Sequence, residues 1–196
     1  MKKQKKRKKV LIVVAHPDDE TIWMGGTILE NRKKWDLKII SLCRGDDKDR
    51  APKFKKVCKE LGAKCHISNL EDQKLNALNP EEIIKKITEM IGKEQEYSII
   101  FTHGKNGEYG HQRHKEIHKA MEKILERKLV SAESVFFFSY FKSGEYCKPD
   151  KNSHKFIYLD NLLLNTKKKI IREGYGFKKG SFEELSCGKV EAFKKR

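Results

Sequence analysis

The apolar residues of this chain recur with two periods, and the periods alternate. Residues 10–15 (Val-Leu-Ile-Val-Val-Ala) are apolar without interruption and rich in β-branched types. Such a run reads as a strand buried on both faces, as in a parallel sheet. Residues 37–43 and 97–102 repeat the pattern, and 65–67 give a shorter version of it. Helical spacing fills the gaps. Residues 20–34 present Ile22, Trp23, Ile28 and Leu29, and residues 53–61 present Phe54, Val57, Cys58 and Leu61 before Gly62, a residue suited to closing a helix. Asn79-Pro80-Glu81-Glu82 is a helix start, with a cap, Pro in the first turn and acids beside it, and Ile83, Ile84, Ile87, Met90 and Ile91 follow as its stripe. Residues 111–128 carry Ile117, Met121, Ile124 and Leu125 on one face. The alternation predicts an α/β fold of βαβ units with a mostly parallel sheet. Beyond residue 130 the order is looser. Residues 134–140 and 155–159 read as strands, 165–173 as a helix, and 181–196 have no clear pattern.

The first strand runs into His16-Pro-Asp-Asp-Glu20. Pro17 cannot extend a ladder, so the strand ends there and the polar cluster stands at its carboxyl end, where open α/β sheets bind ligands. Three carboxylates and an imidazole within five residues have two solutions. Either they face solvent with Asp18 or Asp19 capping the next helix, or a divalent metal neutralises them. Gly25-Gly26 shortly after is unfavourable in a helix and suggests close approach of backbone to a strand or ligand. The fourth strand delivers His103 and a glycine-rich loop, and the next helix opens with His111-Gln-Arg-His114. H-x-x-H alone is a weak signal. Beside the first cluster on one sheet edge it makes a His₂-carboxylate triad of His16, Asp19 and His114, the ligand set of catalytic zinc with a position left open. His118 does not complete an H-E-x-x-H helix and reads as an outer-shell or ordinary surface histidine.

Charge and length narrow the class. The 196 residues suit one domain over 10–196, preceded by a basic tail at 1–9 that reads as disordered. That tail holds seven of the formal net charge of +16, leaving +9 on the remainder. It suits weak contact with nucleic acid or an anionic surface. The apolar run behind it is too short for a secretory leader and no stretch approaches a membrane span, so the expectation is a cytoplasmic protein. Five cysteines, with no C-x-x-C pair, argue for free thiols over disulfides or a zinc knuckle. A homo-oligomer is compatible with the sequence.

His16-Pro-Asp-Asp-Glu20, Gly25-Gly-Thr27 and Gly107-Glu-Tyr-Gly-His-Gln-Arg-His114 resemble the LmbE-like deacetylase family, which includes GlcNAc-phosphatidylinositol de-N-acetylases and relatives from mycothiol and bacillithiol synthesis. Arg44-Gly45, Leu61-Gly62 and Glu191-Ala-Phe193 extend the likeness. The resemblance implies an LmbE-like α/β fold, a Rossmann-like mostly parallel sheet with helices on both faces, and a divalent metal, usually Zn2+ with Fe2+ as the alternative, on His16, Asp19 and His114. It implies Asp18 as general base and His111 as donor to the developing oxyanion or to the leaving amine. Arg44 and His103 become candidates for substrate contact. Arg113 stands where many relatives carry an acid that supports the neighbouring histidine; here Glu108 or Glu116 could take over that support, and Arg113 could instead read an anionic group of the substrate. The expected activity is zinc-dependent N-deacetylation of an N-acetylglucosamine-type conjugate, its charge balance favouring an anionic part. A metal hydrolase for another N-acyl or ester bond, and a non-catalytic basic binding module, are the alternatives.

Overall fold

The structure, a computed structural model, describes residues 7–196. The elements in chain order are β1 (Lys8–Val14), α1 (Asp19–Asn31), β2 (Trp35–Cys43), α2 (Arg50–Leu61), β3 (Ala63–Leu70), α3 (Pro80–Ile91), β4 (Glu96–Thr102), a single turn α4 (Gly107–Gly110) and α5 (Gln112–Glu126). There follow β5 (Ser131–Phe138), the hairpin β6 (Tyr140–Ser143) and β7 (Tyr146–Pro149), β8 (Lys155–Tyr158), α6 (Asn161–Lys169) ending in a π-helical turn, α7 (Phe182–Ser186) and β9 (Val190–Lys195).

Seven strands form the main sheet in the order β3-β2-β1-β4-β5-β9-β8. The first five are parallel, with Ile12 opposite Ile39 on one side and Phe101 on the other. The chain leaves β1 towards β2 and later returns on the opposite flank as β4, so the order reverses between β1 and β4. Alternate residues of β1 serve two cores. Val10, Ile12 and Val14 pack with Trp23, Ile28, Phe54 and Val57, while Leu11, Val13 and Ala15 pack with Ile83, Ile87, Ile117 and Met121. An unbroken apolar run is what a strand covered on both faces requires.

Several elements differ from the sequence expectation. β1 starts at Lys8, inside the basic stretch, and Lys9 pairs with Glu94 at 2.6 Å. Of the tail expected over 1–9, residues 1–6 lie outside the described residues. Asp160 caps α6 by accepting from the Leu163 N–H, so that helix begins at Asn161 rather than at 165. The segment 181–196 supplies β9, which inserts antiparallel between β5 and β8.

The paired glycines have a different cause from the one expected. Met24 (φ −149°) breaks α1 into two pieces. The freed N–H groups of Gly26 and Thr27 donate to the Glu191 carboxylate at 2.8 Å each, and the Thr27 hydroxyl and Lys167 Nζ join them at 2.6 and 2.8 Å. A carboxylate at a fresh helix start satisfies orphan donors and the dipole together. A Cβ on Gly26 would lie 2.3 Å from Leu159 Cδ2, and one on Gly25 3.2 Å from Lys167 Cγ. The glycines make room for side chains, not for a strand or a ligand. The described cysteines are all free thiols, and no described helix is long and apolar enough to cross a membrane.

Candidate active site

At the carboxyl end of β1 the chain must turn sharply into α1. Asp18 absorbs the turn with φ 122°, a conformation that L side chains rarely adopt. The Asp18 N–H is held by Glu20 Oε2 at 3.2 Å, and Glu20 in turn accepts from the Tyr175 hydroxyl at 2.7 Å. Glu20 therefore lies beneath the cleft and supports its floor. Neither Asp18 nor Asp19 is a solvated helix cap. Both are buried, and no side chain caps α1. Asp19 accepts the His16 N–H at 2.8 Å and the Trp23 indole N–H at 2.9 Å.

Three candidate donors converge here. His16 Nδ1 lies 3.2 Å from Asp19 Oδ2 and 3.2 Å from His114 Nε2, and His114 Nε2 lies 3.4 Å from Asp19 Oδ2. The far side of each ring meets a carboxylate. Glu108, fully buried in the turn after β4 with φ 57°, takes His114 Nδ1 at 2.6 Å, His103 Nδ1 at 2.8 Å and the Gly104 N–H at 2.7 Å. Its burial opposes ionisation, but the two histidines hold its pKa down to about 2. A carboxylate acceptor at Nδ1 fixes the proton there and leaves His114 Nε2 with a free lone pair. His16 Nε2 stands 3.1 Å from Asp72 Oδ1. Burial disfavours the His16 cation, yet Asp19 and Asp72 outweigh it and raise its pKa to about 10. Asp19 is likewise buried, and the facing histidines keep it ionised well below the usual carboxylate range.

His103 does not reach the cleft. It is fully buried, accepts the Ala15 N–H on Nε2 at 2.9 Å and donates from Nδ1 to Glu108, so both ring nitrogens are spent. Its ring stacks on His114 at 3.8 Å and steadies it. His118 is buried as well, 3.0 Å from the His103 carbonyl, and is no surface residue. Arg113 also turns away. Its guanidinium is enclosed by Glu71, Glu116 and the Asn76 carbonyl, clamping the loop after β3 onto α5. It cannot read a substrate anion from there. Glu108 and Glu116 are both committed, to His114 and to Arg113, so neither supports His111.

His111 lines the cleft. Burial, with His114 and His16 nearby, lowers its pKa to about 4, so the ring is neutral near pH 7, and its buried Nδ1 has no partner. Asp18 Oδ2 accepts from Arg50 Nη1 at 2.8 Å; burial, then Asp19, raises its pKa well above that of an ordinary aspartate. Arg44 reaches the rim in a left-handed conformation (φ 67°) and binds Asp72 Oδ2 through Nε at 3.0 Å and Nη2 at 2.8 Å. Trp23, Tyr109 and Phe182 build an aromatic wall, and the cleft measures about 310 Å³.

Residues 11–125, more than half of the chain and both histidine–carboxylate motifs, match the GlcNAc-PI de-N-acetylase (PIG-L) family. The chain belongs to this family. A curated relative of the PIG-L chain, an uncharacterised protein (L374) of Acanthamoeba polyphaga mimivirus, is 29% identical over 130 residues, 58% of this chain and 56% of the relative. The chain thus spans about half the length of the curated relative it matches. Among solved structures, N,N'-diacetylchitobiose deacetylase from Pyrococcus horikoshii superposes with a TM-score of 0.66 at 18% identity, over 96% of this chain and 84% of that one. GalB, the 4-carboxy-2-hydroxymuconate hydratase of Pseudomonas putida KT2440, superposes with a TM-score of 0.60 at 13% identity, over 96% and 95%. At these identities the likeness is one of fold, and the fold carries more than one reaction.

Within the PIG-L chain, two site residues escaped the sequence reading in their present roles. Asp72 follows β3, and its placement at the same sheet edge as His16 was the available signal. Glu108 was weighed as support for His111, but the turn of α4 aims it at His114 and His103.

Proposed function

We propose that this PIG-L family chain is a zinc-dependent N-deacetylase that hydrolyses the acetamide of an N-acetylglucosamine-type sugar or conjugate and releases acetate. The triangle formed by His16 Nδ1, Asp19 Oδ2 and His114 Nε2 carries the reading. Its sides are 3.2, 3.2 and 3.4 Å. Bonds of about 2.0–2.1 Å to a tetrahedral zinc separate neighbouring ligand atoms by about 3.4 Å, which these donors match before any ion is added. Three other groups of possible donors lie close together: one with His111, one with His103, and one of His16 with Cys43 and Asp72, in which burial pushes the Cys43 thiol up and Arg44 already holds Asp72. His103 is excluded because both its nitrogens are already bonded. His111 has no carboxylate fixing its far nitrogen, unlike His16 and His114, and suits the substrate side better.

His16, Asp19 and His114 would hold a divalent ion, which would supply Lewis acidity to an amide carbonyl and to an attacking water. Asp18 takes the proton of that water. Its raised proton affinity suits a base that must keep the proton while the carbonyl carbon becomes tetrahedral, and Arg50 keeps the carboxylate aimed. Neutral His111 donates a hydrogen bond to the carbonyl oxygen as charge gathers on it. Asp18 then returns its proton to the departing nitrogen, so that water is consumed and acetate and a free amine leave. The aromatic wall and the cleft volume suit a single hexosamine ring. An anionic substrate part has little support in the cleft, because Arg44 and Arg50 are already paired with Asp72 and Asp18; Arg44, at the rim, remains placed for substrate hydroxyls. A purely basic binding module leaves the buried, converging Asp18, Asp19, His16 and His114 without a role.

The test is acetate release from a panel of N-acetylglucosamine conjugates, using chelator-stripped protein reloaded with zinc. Asp18→Asn should lower turnover by about 10²–10⁴-fold with zinc stoichiometry unchanged. Near-full turnover in this variant would remove Asp18 as the base.

A further inference from the structure

A second cavity, of about 640 Å³, opens at the opposite end of the sheet, where β1 and β2 begin. From its mouth at Lys8 to the end of β1 at Val14 is about 20 Å of strand, and its floor runs along the sheet as far as Phe101, while none of its lining residues lines the cleft. Its floor is apolar: Ile99, Phe136 and Ile157, each half-buried, over the buried rings of Trp35, Phe101 and Phe193. Phe101 is the hub, with ring centroids 5.9 Å from Trp35, 5.5 Å from Phe136 and 5.3 Å from Phe193. The rim has the opposite chemistry. Arg7, Lys8, Lys33, Lys34 and Lys155 ring the mouth, against one acid, Glu30.

These cations are not spoken for. Among the described residues Arg7 donates only to the carbonyls of Arg32 and Trp35, and no described carboxylate lies within salt-bridge distance of Arg7, Lys8, Lys33, Lys34 or Lys155. Lys155 sits 5.4 Å over the Phe136 ring, at the border between floor and rim. An aromatic floor with a ring of unpaired cations is complementary to one class of molecule, an apolar body with an anionic head. A neutral hydrocarbon would leave the rim unused, and a small anion would leave the floor wet. The neighbouring residues 1–6 carry four lysines and no acid, so they bring the wrong charge to fill it.

We propose that this cavity is a binding site for a single anionic amphiphile, a molecule with an aliphatic or aromatic body and a sulfonate, phosphate or carboxylate head. The site is separate from the deacetylase cleft and does not depend on its chemistry. The probe is decanesulfonate, titrated calorimetrically into the zinc-loaded full chain. A sulfonate is a poor zinc ligand, which keeps the probe out of the cleft. Decanesulfonate should bind saturably at one per chain, with ethanesulfonate, decanol and decylamine each about tenfold weaker or more. The exposed double reversal Lys34→Glu/Lys155→Glu should weaken decanesulfonate by about tenfold or more, and Trp35→Phe should abolish the accompanying change in emission. Equal affinity for decylamine or decanol overturns the charge complementarity. Equal affinity for ethanesulfonate overturns the role of the floor. Unchanged binding in the double reversal moves the amphiphile elsewhere. Binding to anionic phosphatidylglycerol vesicles with no saturable decanesulfonate site would make this face a membrane contact and refute the single-molecule site.

Discussion

Glu108→Gln tests the second layer of the site with almost no change of shape. Glu108 receives three donors on two oxygens: the Gly104 N–H on Oε1, and both the His103 and the His114 Nδ1 protons on Oε2. Glutamine offers one oxygen and one NH₂. With its oxygen at the Oε1 position, the NH₂ faces both rings, and each would have to move its proton to Nε2. His103 cannot comply, because its Nε2 accepts the Ala15 N–H at 2.9 Å. His114 would comply only by protonating the nitrogen that faces Asp19 and His16, and so would lose the lone pair proposed to bind the metal. With the oxygen at the Oε2 position, the NH₂ is driven against the Gly104 N–H, where 2.7 Å now separates two donors. Each arrangement loses at least one charge-assisted hydrogen bond, worth about 1.5–3 kcal/mol to the metal-free fold. It also weakens the orientation and basicity of His114, for which outer-shell partners are worth about 10–100-fold in metal affinity. That factor is about 1.4–2.8 kcal/mol. Zinc affinity measured by competition with a chromophoric chelator should fall in that range, and urea unfolding of the stripped protein should show the separate stability cost. A zinc Kd within about threefold of wild type would refute the assignment of Glu108 as the residue that fixes His114.

Three further outcomes follow from other contacts. Gly26→Ala places a methyl 2.3 Å from Leu159 Cδ2 and should cost about 1–3 kcal/mol by urea unfolding; Leu159→Ala in the same chain should restore part of it, and additive losses would show that the two residues do not compete for space. Lys167→Met strips the counter-charge from buried Glu191 and should cost about 3 kcal/mol, with a loss below about 1 kcal/mol contradicting a tightly held pair. Arg113→Met leaves Glu116 unpaired and releases the loop that carries Asp72, so it should destabilise the fold by about 2–3 kcal/mol and raise KM more than a surface change would; unaltered stability would show that the clamp is idle.

Much of the site was legible because its chemistry is written at strand ends. The run from Val10 to Ala15 fixed a doubly covered strand, and the proline behind it fixed where His16, Asp18 and Asp19 would emerge. The partners of those residues were harder to read. Asp72 becomes the neighbour of His16 because the loop after β3 folds back, and that return is held by Arg113, a residue whose sequence position suggested contact with a substrate anion instead. Glu108 faces His114 and His103 because its backbone takes a left-handed turn that no propensity favours. The glycine pair was read as room for backbone because the side chains that fill the space, Leu159 and Lys167, lie more than a hundred residues downstream. β9 was invisible for a similar reason. It is a short strand with an acid, Glu191, facing inward, and that acid makes sense only once α1 is seen to be broken at Met24.

That broken helix sets an order of events during synthesis. The first piece of α1 begins with Asp19, one of the three converging donors, and the second piece begins with N–H groups that wait for Glu191, 165 residues further along. β1, β2 and β4 can pair as soon as they have left the ribosome. The segment that seats Asp19 cannot be closed over until β9 has emerged and docked. A nascent chain paused after α5 would hold His16, His103, His111 and His114 while the second piece of α1 still lacked the Glu191 carboxylate that receives its first N–H groups. Completion of α1 is thus a late step in forming this fold, tied to its most distant contact rather than to the local motif at its start.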